Sequence, residues 1–356
     1  MSDRSRHCAG GRGKRRALFP KGVELPANRL DAIQGVTDRL AMSILLLGAT
    51  GFIGPHVAAA LAAHGREVVA VSRRGGGLGA VAVDRRDAAS LRTLVRERRI
   101  TAVIDLLAYT EADTTALWDA LDGEVERWVM ASSCDVYRNY EGLHRKADAE
   151  PIMGPLAEGS PLRETRYPYR LDPRRPAAAP DAWMDDYDKI PLEAGLLARP
   201  GLYGVVLRLP MVFGPGDRQR RFRWMLRPML AGERRLRVDP DWAGWRTTYG
   251  YVADVADALA AAVTVPLEGR IFNLGRSDIG DHRDWIGVFS RTLGWDGEVT
   301  EAHAPPGSPI AALDLRYTLS VDSRAFRHAF GWREPTPLEE ALLATAADER
   351  DRAADR

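Results

Sequence analysis

The sequence predicts an α/β protein: a doubly wound parallel sheet carrying most of the chain, followed by a smaller C-terminal region. Three observations predict it. Short apolar runs alternate with helix-patterned segments from Ile44 onward, the first run delivers a glycine-rich turn into a helix, and no internal repeat breaks the order.

Composition sets the bounds. The chain has 356 residues, 45% hydrophobic and 28% charged, enough for a large core and too apolar for intrinsic disorder of the bulk. Fifty basic side chains face 49 acidic ones, a net charge of +1, so there is no domain-wide basic field and nucleic acid is not an expected partner. The two cysteines, Cys8 and Cys134, can make neither a disulfide framework nor a four-ligand zinc site. No metal is expected. Nor is there an apolar run near the roughly 18 residues that span a bilayer. A cytoplasmic protein in a reducing compartment is the expectation. All but four of the basic residues are arginine, which draws attention to the lysines, Lys14, Lys21, Lys146 and Lys189.

The elements follow in order. Residues 1–41 read as a basic tail, disordered or an extension ahead of a native start at Met42, which directly precedes the first buried strand. Strands are expected at Ile44 to Leu47, Val68 to Val71, Val81 to Val83, Val103 to Leu107, Trp128 to Ala131 and Val205 to Leu209. Helices are expected between them, at Pro55 to His64, Ala88 to Arg98, Thr114 to Leu121 and Leu192 to Ala198. Residues 42–216 would be mainly this domain, with a proline-rich lid at 138–181. Residues 217–345 would form the C-terminal region, with a strand and a helix returning to the main sheet, and 346–356 a tail.

The most specific motif is Gly48-Ala49-Thr50-Gly51-Phe52-Ile53-Gly54, placed between an apolar strand and a helix. Gly48 permits the tight turn, Gly51 lets a pyrophosphate approach the backbone, and Gly54 allows close packing of helix on strand. The turn as a whole, with Thr50, Phe52 and Ile53, is the expected dinucleotide cradle of a Rossmann-type domain. The second strand ends on Ser72-Arg73-Arg74 where an NAD-binding protein would place a carboxylate. A serine and two arginines suit a 2′-phosphate, so NADP is the first expectation and NAD the second. After the third strand, Asp84 or Asp87 could accept from the adenine amino group beside Arg85, although Asp87 suits a helix cap equally well.

Two further motifs, Ser132-Ser133-Cys134-Asp135-Val136-Tyr137 and Leu207-Arg208-Leu209-Pro210-Met211-Val212-Phe213-Gly214-Pro215-Gly216, extend the pattern. With the glycine turn, they resemble the extended short-chain dehydrogenase/reductase superfamily, in its NAD-dependent epimerase/dehydratase branch, over roughly residues 42–345. The resemblance implies that Ser133 hydrogen-bonds the reacting substrate oxygen, that Leu107 and Ala108 lie beside the cofactor ribose, and that Pro210 lies near the nicotinamide amide. It also implies a C-terminal substrate-binding region. A Tyr and a Lys four residues later on a helix would complete the site, the Lys and the cofactor lowering the Tyr pKa so that it serves as base.

The spacing departs from that pattern. The chain reads Asp185-Asp186-Tyr187-Asp188-Lys189-Ile190-Pro191, and positions two apart on a helix point about 200° from each other. Pro191 resolves the conflict, because proline is tolerated in a first helical turn: the helix should start near Asp188 and leave Tyr187 in extended backbone before it. Tyr187 and Lys189 could then both reach the nicotinamide, or else serve as a packing aromatic and a surface charge.

Met211 stands where sugar-nucleotide members of the family carry an Asn, which weakens a nucleotide-sugar substrate. Asp135 falls where the family's dehydratases place an acid, and is equally suited to capping a turn. Cys134 reads as a small buried hydrophobe. The segment Arg163 to Arg170 holds three arginines and two tyrosines, of which Arg166 and Tyr169 are the candidates for reading a substrate.

An NADP-dependent enzyme acting on a small hydroxyl or carbonyl compound is therefore expected, with Ser133, Asp135, Tyr187 and Lys189 catalytic. The competing function is a catalytically degenerate NADP sensor or interaction protein. A small molecule is the expected partner, and a homodimer remains open.

Overall fold

The computed structural model describes residues 42–170, 181–265, 270–276 and 278–354. The expectations for residues 1–41 lie outside the described residues.

Strand β1 (Ser43–Leu47) is buried along its whole length and sits at the middle of the main sheet. Alternation sends Ile44 and Leu46 into one core and Leu45 and Leu47 into the other, which is how a sheet covered on both faces must read. Helix α1 (Gly54–Ala63) leads to β2 (Glu67–Ser72) and the short β3 (Val81–Ala82). Helix α2 (Ala88–Glu97), β4 (Ile100–Asp105), α3 (Glu111–Ala120) and β5 (Arg127–Ser133) follow. Side-chain caps start both helices, Asp87 accepting from Ser90 N–H at 3.0 Å and Thr110 from Asp113 N–H at 3.4 Å.

Beyond the short α4 (Arg138–Leu143) come α5 (Lys189–Leu197), β6 (Tyr203–Leu209) and β7 (Met211–Phe213). The C-terminal region holds α6 (Arg223–Leu230), β8 (Arg235–Val238), α7 (Pro240–Gly244), β9 (Tyr249–Tyr251), α8 (Val252–Thr264), β10 (Ile271–Asn273), α9 (His282–Leu293), β11 (Glu298–Glu301), α10 (Arg324–Phe330) and α11 (Leu338–Ala354).

The main sheet has seven strands in the order β10-β6-β5-β4-β1-β2-β3, with every neighbouring pair parallel. The order reverses at β1, flanked by β2 on one side and β4 on the other, so a crevice opens past their carboxyl ends. Six of the strands come from the first part of the chain; β10 returns from the C-terminal part to pair with β6. Helix α8 packs on α1, and its alanines allow close approach. In the C-terminal region an aromatic cluster fills the core, with Phe222 at 4.6 Å from Tyr249 and 4.9 Å from Trp285 between ring centroids. His282 is sealed beside it, held by Trp242 O at 2.9 Å and Tyr249 Oη at 3.0 Å, and burial pushes its pKa down to about 4, so it is neutral.

Two expectations meet a different structure. Helix α11 runs to Ala354, so residues expected as a tail from 346 are helix up to that point, with Glu349 paired to Arg220 at 2.7 Å and Asp348 accepting from Gly216 N–H at 3.2 Å. The proline-rich stretch expected as a lid is packed into the fold over 138–170. Leu156 is fully buried beside Val321, Asn139 holds the carbonyls of Ile152 and Thr318 at 2.9 Å each, and Glu141 accepts from the N–H groups of Glu164 and Thr165 at 3.1 and 2.9 Å. Residues 171–180 lie outside the described residues.

Candidate active site

The glycine turn forms first. Gly48 adopts φ +91°, and Gly51 N–H donates back to Gly48 O at 3.0 Å. A Cβ on Gly54 would lie 2.3 Å from Gly48 O, so only glycine lets α1 start this close to β1. A Cβ on Gly51 meets nothing but Gly48 O, at 3.3 Å, and its outer face is open. No side chain caps α1 at Ile53, which leaves the helix N–H groups turned to the crevice; Thr50 is exposed, and Phe52 and Ile53 are half-buried.

Beside the turn lies a cleft of about 400 Å³ at the ends of β1 to β4. Gly48, Ser72, Arg73, Asp84, Arg85 and Leu107 line it from the sheet side. The donor set suits the adenosine half of a dinucleotide: the turn for a pyrophosphate, Arg73 for anionic oxygens, Asp84 for an amino or hydroxyl group, while Arg86 is paired with Asp113 at 3.0 Å. Buried Arg85 Nε, with no partner among the described residues, adds an unsatisfied donor on this wall.

The structure sorts the expected cofactor contacts. The Ser72 hydroxyl donates to Gly75 O at 2.8 Å and so shapes its own loop, and Arg74 is exposed outside the cleft lining. The Arg85 guanidinium is clamped on Asp105, two bonds of 3.1 Å, so its charge serves that buried carboxylate and not an incoming ligand. Asp87 is a helix cap, and of the two expected acids Asp84 alone lines the cleft, beside Asp113 of α3. Ala108 is fully buried and Pro210 packs against Gly250 and Gly275 at the end of β6.

The catalytic candidates converge past β4, β5 and β6. Asp188 caps α5, which begins at Lys189 with Pro191 in its first turn. Tyr187 is extended (φ −69°, ψ 124°) and bridges to Thr110, while Asp188 N–H donates to Tyr109 O at 3.2 Å. Sequence spacing two apart therefore does not follow helical geometry, and both side chains turn inward. Lys189 Nζ donates to Ala108 O at 2.6 Å and Ala131 O at 2.7 Å, and lies 5.6 Å from the centre of the Tyr187 ring.

Asp135 is the hub. Its Oδ2 accepts from the Tyr187 phenol at 2.9 Å and from the Tyr169 phenol at 2.9 Å, and its buried Oδ1 has no partner among the described residues. Ser133 Oγ accepts from Asp135 N–H at 3.2 Å, capping the one-turn 3-10 helix Cys134–Val136. Burial first, then the Asp135 charge, hold the Tyr187 and Tyr169 phenols well above the ordinary tyrosine value. This corrects the expected lowered Tyr pKa: the carboxylate bonds the phenol directly, whereas the ammonium sits across the ring. Lys189 itself is pulled down to about 8 by burial, against the opposing charges of Asp105 and Asp135.

Arg166 does not reach the hub; it pairs with Asp188 at 2.6 Å and with Glu111 at 3.4 Å. Met211 packs with the apolar cluster of Leu143, Trp245, Tyr317 and Leu319. Cys134 is buried and its thiol is pushed up by burial, so it is no nucleophile.

Underneath, sequence reasoning missed a buried network. Arg208 grips Glu193 at 2.7 and 3.0 Å, Glu193 also accepts from Ser132, and Arg208 reaches the Tyr137 hydroxyl at 3.1 Å. Two charges on facing apolar elements, Arg208 within β6 and Glu193 within α5, were the available signal. Buried Arg163 was missed too; it joins Asp135 O (3.0 Å) to Asp188, fixing the hub to the helix cap.

Comparison places the chain among known proteins. It aligns with solved structures of UDP-glucose 4-epimerase from Thermotoga maritima with UDP-glucose (20% identity, 88% of this chain and 100% of that one, TM-score 0.61). The UDP-glucose-4-epimerase from Stenotrophomonas maltophila, with bound NAD and formylated UDP-arabinopyranose, aligns likewise (19% identity, 88% and 100%, TM-score 0.63). So does dTDP-glucose 4,6-dehydratase from Bacillus anthracis in complex with NAD (16% identity, 88% and 98%, TM-score 0.60). These likenesses show the fold. No curated relative matches the chain. The family model described as NAD dependent epimerase/dehydratase family matches residues 44–275, well over half of the chain and including both the glycine turn and the Asp135 hub. The chain belongs to the NAD-dependent epimerase/dehydratase family.

Proposed function

We propose that this protein is an NADP-dependent enzyme that moves a hydride between a small hydroxyl or carbonyl substrate and the nicotinamide. The observation that carries the reading is the convergence of Tyr187 and Tyr169 on Asp135, with Lys189 beneath them, next to the dinucleotide cleft. The cofactor, when bound, supplies the hydride acceptor or donor.

In the oxidising direction the substrate hydroxyl proton passes to the Tyr187 oxygen while the Tyr187 proton passes to Asp135 Oδ2, so the phenol carries no net charge and its raised pKa is no obstacle. Ser133 orients the substrate oxygen. The Lys189 ammonium stabilises the partial negative charge that develops on the substrate oxygen during the transfer. In the reducing direction the same groups return the proton to the carbonyl oxygen. Arg73 is the 2′-phosphate contact that favours NADP over NAD. The reading includes a cytoplasmic location; among the described residues no helix is long and apolar enough to cross a membrane.

The second reading, a dinucleotide sensor without turnover, draws on one observation: Lys189 directs two N–H groups at backbone carbonyls and the Tyr187 phenol is held by Asp135. The test is single-turnover formation of reduced nicotinamide with NADP⁺ and a panel of sugar nucleotides, polyols and hydroxy acids. The enzyme reading expects reduction with at least one substrate class, abolished by Asp135→Asn. Tight dinucleotide binding with no reduction by any class supports the sensor.

A further inference from the structure

The outer wall of the dinucleotide cleft comes from residues that the glycine motif does not announce. Trp183 lies in the one-turn 3-10 helix Ala182–Asp186 and stacks on Tyr109, ring centroids 4.5 Å apart and planes at 21°. Both rings line the cleft together with Arg73 and Asp84, and Trp183 remains 37% exposed, unusual for so large an apolar side chain. One indole face is covered by Tyr109, and an indole with a free face at the mouth of a nucleotide-sized cleft offers a stacking surface for a purine or an apolar wall for a ribose.

The rings also connect the cleft to the hub. Tyr109 lies 6.1 Å from the Tyr187 ring and carries Lys189 Nζ at 4.8 Å from its centre. The 3-10 helix that holds Trp183 ends directly in Tyr187, whose N–H donates to Met184 O at 3.2 Å.

We propose that Trp183 is a cofactor-binding residue: backed by Tyr109, its indole closes the adenosine half of the cleft. The inference rests on the dinucleotide reading above and adds a contact to it. Apart from Asp113 of α3 and Trp183, the cleft is lined by the ends of β1 to β4 and the loops after them, with no residue of β5 or β6, so the nicotinamide half lies elsewhere and Trp183 should sense adenosine alone.

Calorimetry with NADP⁺, with 2′,5′-ADP and with nicotinamide mononucleotide separates the outcomes. Trp183→Ala should weaken NADP⁺ and 2′,5′-ADP by about tenfold each, leave nicotinamide mononucleotide unchanged, and be largely rescued by Trp183→Phe. Because the indole is partly exposed, neither variant opens the core, and an unchanged unfolding midpoint checks this. Affinity for 2′,5′-ADP within twofold of the unaltered protein in Trp183→Ala overturns the inference while leaving the cofactor reading intact. A protein that binds neither NADP⁺ nor 2′,5′-ADP before any substitution overturns both.

Discussion

Lys189→Met tests the electrostatics of the site without knowledge of the substrate. Lys189 is 3% exposed, and burial brings its pKa from 10.5 to about 8. That fall corresponds to roughly 3 kcal/mol between protonation states. Below about pH 8 the lysine is charged in both folded and unfolded chains, and the folded state bears the full cost of burying the charge. Between about pH 8 and 10.5 the unfolded chain binds more protons than the folded one, so stability rises with pH across that window. Methionine has similar reach and no charge, so the variant lacks this rise. Its lost hydrogen bonds to Ala108 O and Ala131 O shift the curve by a constant. Urea unfolding of both proteins from pH 7 to 10.5 measures the difference, in which the titration of all other groups cancels. The native protein should gain on the variant by up to roughly 3 kcal/mol over the window. Parallel curves would refute the buried, half-titrated lysine and with it the placement of Nζ under the hub.

The other predictions follow from the same geometry. Tyr187→Phe should keep NADP⁺ affinity within about twofold and lower turnover by about 10²-fold or more, read by steady-state kinetics once a substrate is in hand; full activity would move the proton path to Tyr169. Arg73→Ala should erase most of the preference for NADP⁺ over NAD⁺ in calorimetry and reduce its salt dependence, and a native protein with equal affinities would end the NADP assignment. Glu193→Gln leaves Arg208 buried without its carboxylate, and chemical denaturation should register a loss of about 3–5 kcal/mol; a loss near zero would mean that the pair is not sealed from water.

How much the sequence told in advance depends on how local the governing physics is. Gly48 and Gly54 were readable because a tight turn at φ +91° and a 2.3 Å approach exclude any other residue whatever surrounds them. The start of α5 was equally readable, since Pro191 forces the issue within one turn. Arg85 was not: its partner Asp105 sits on another strand, and sequence spacing says nothing about a pairing across the sheet. For the same reason Asp135 showed in the motif, but the two phenols that meet on it come from separate segments. The Tyr187 and Tyr169 phenols meet on Asp135 where Arg163, from the same stretch as Tyr169, bonds Asp188. The long proline-rich stretch 138–181 suggested a lid because it shows no regular periodicity, whereas over 138–170 the side chains of Asn139 and Glu141 tie its backbone into the fold.

The central claim is that Asp135 takes the proton from Tyr187 during hydride transfer. A proton inventory tests it most directly: single-turnover reduction of NADP⁺, followed by the absorbance of the reduced nicotinamide in mixtures of H₂O and D₂O, for the native protein and for Asp135→Asn. The account predicts that two protons move together in the native protein, giving a curved inventory, and that Asp135→Asn is slowed by about 10²-fold or more with unchanged NADP⁺ affinity. A linear inventory, together with an Asp135→Asn variant as fast as the native protein, would contradict it.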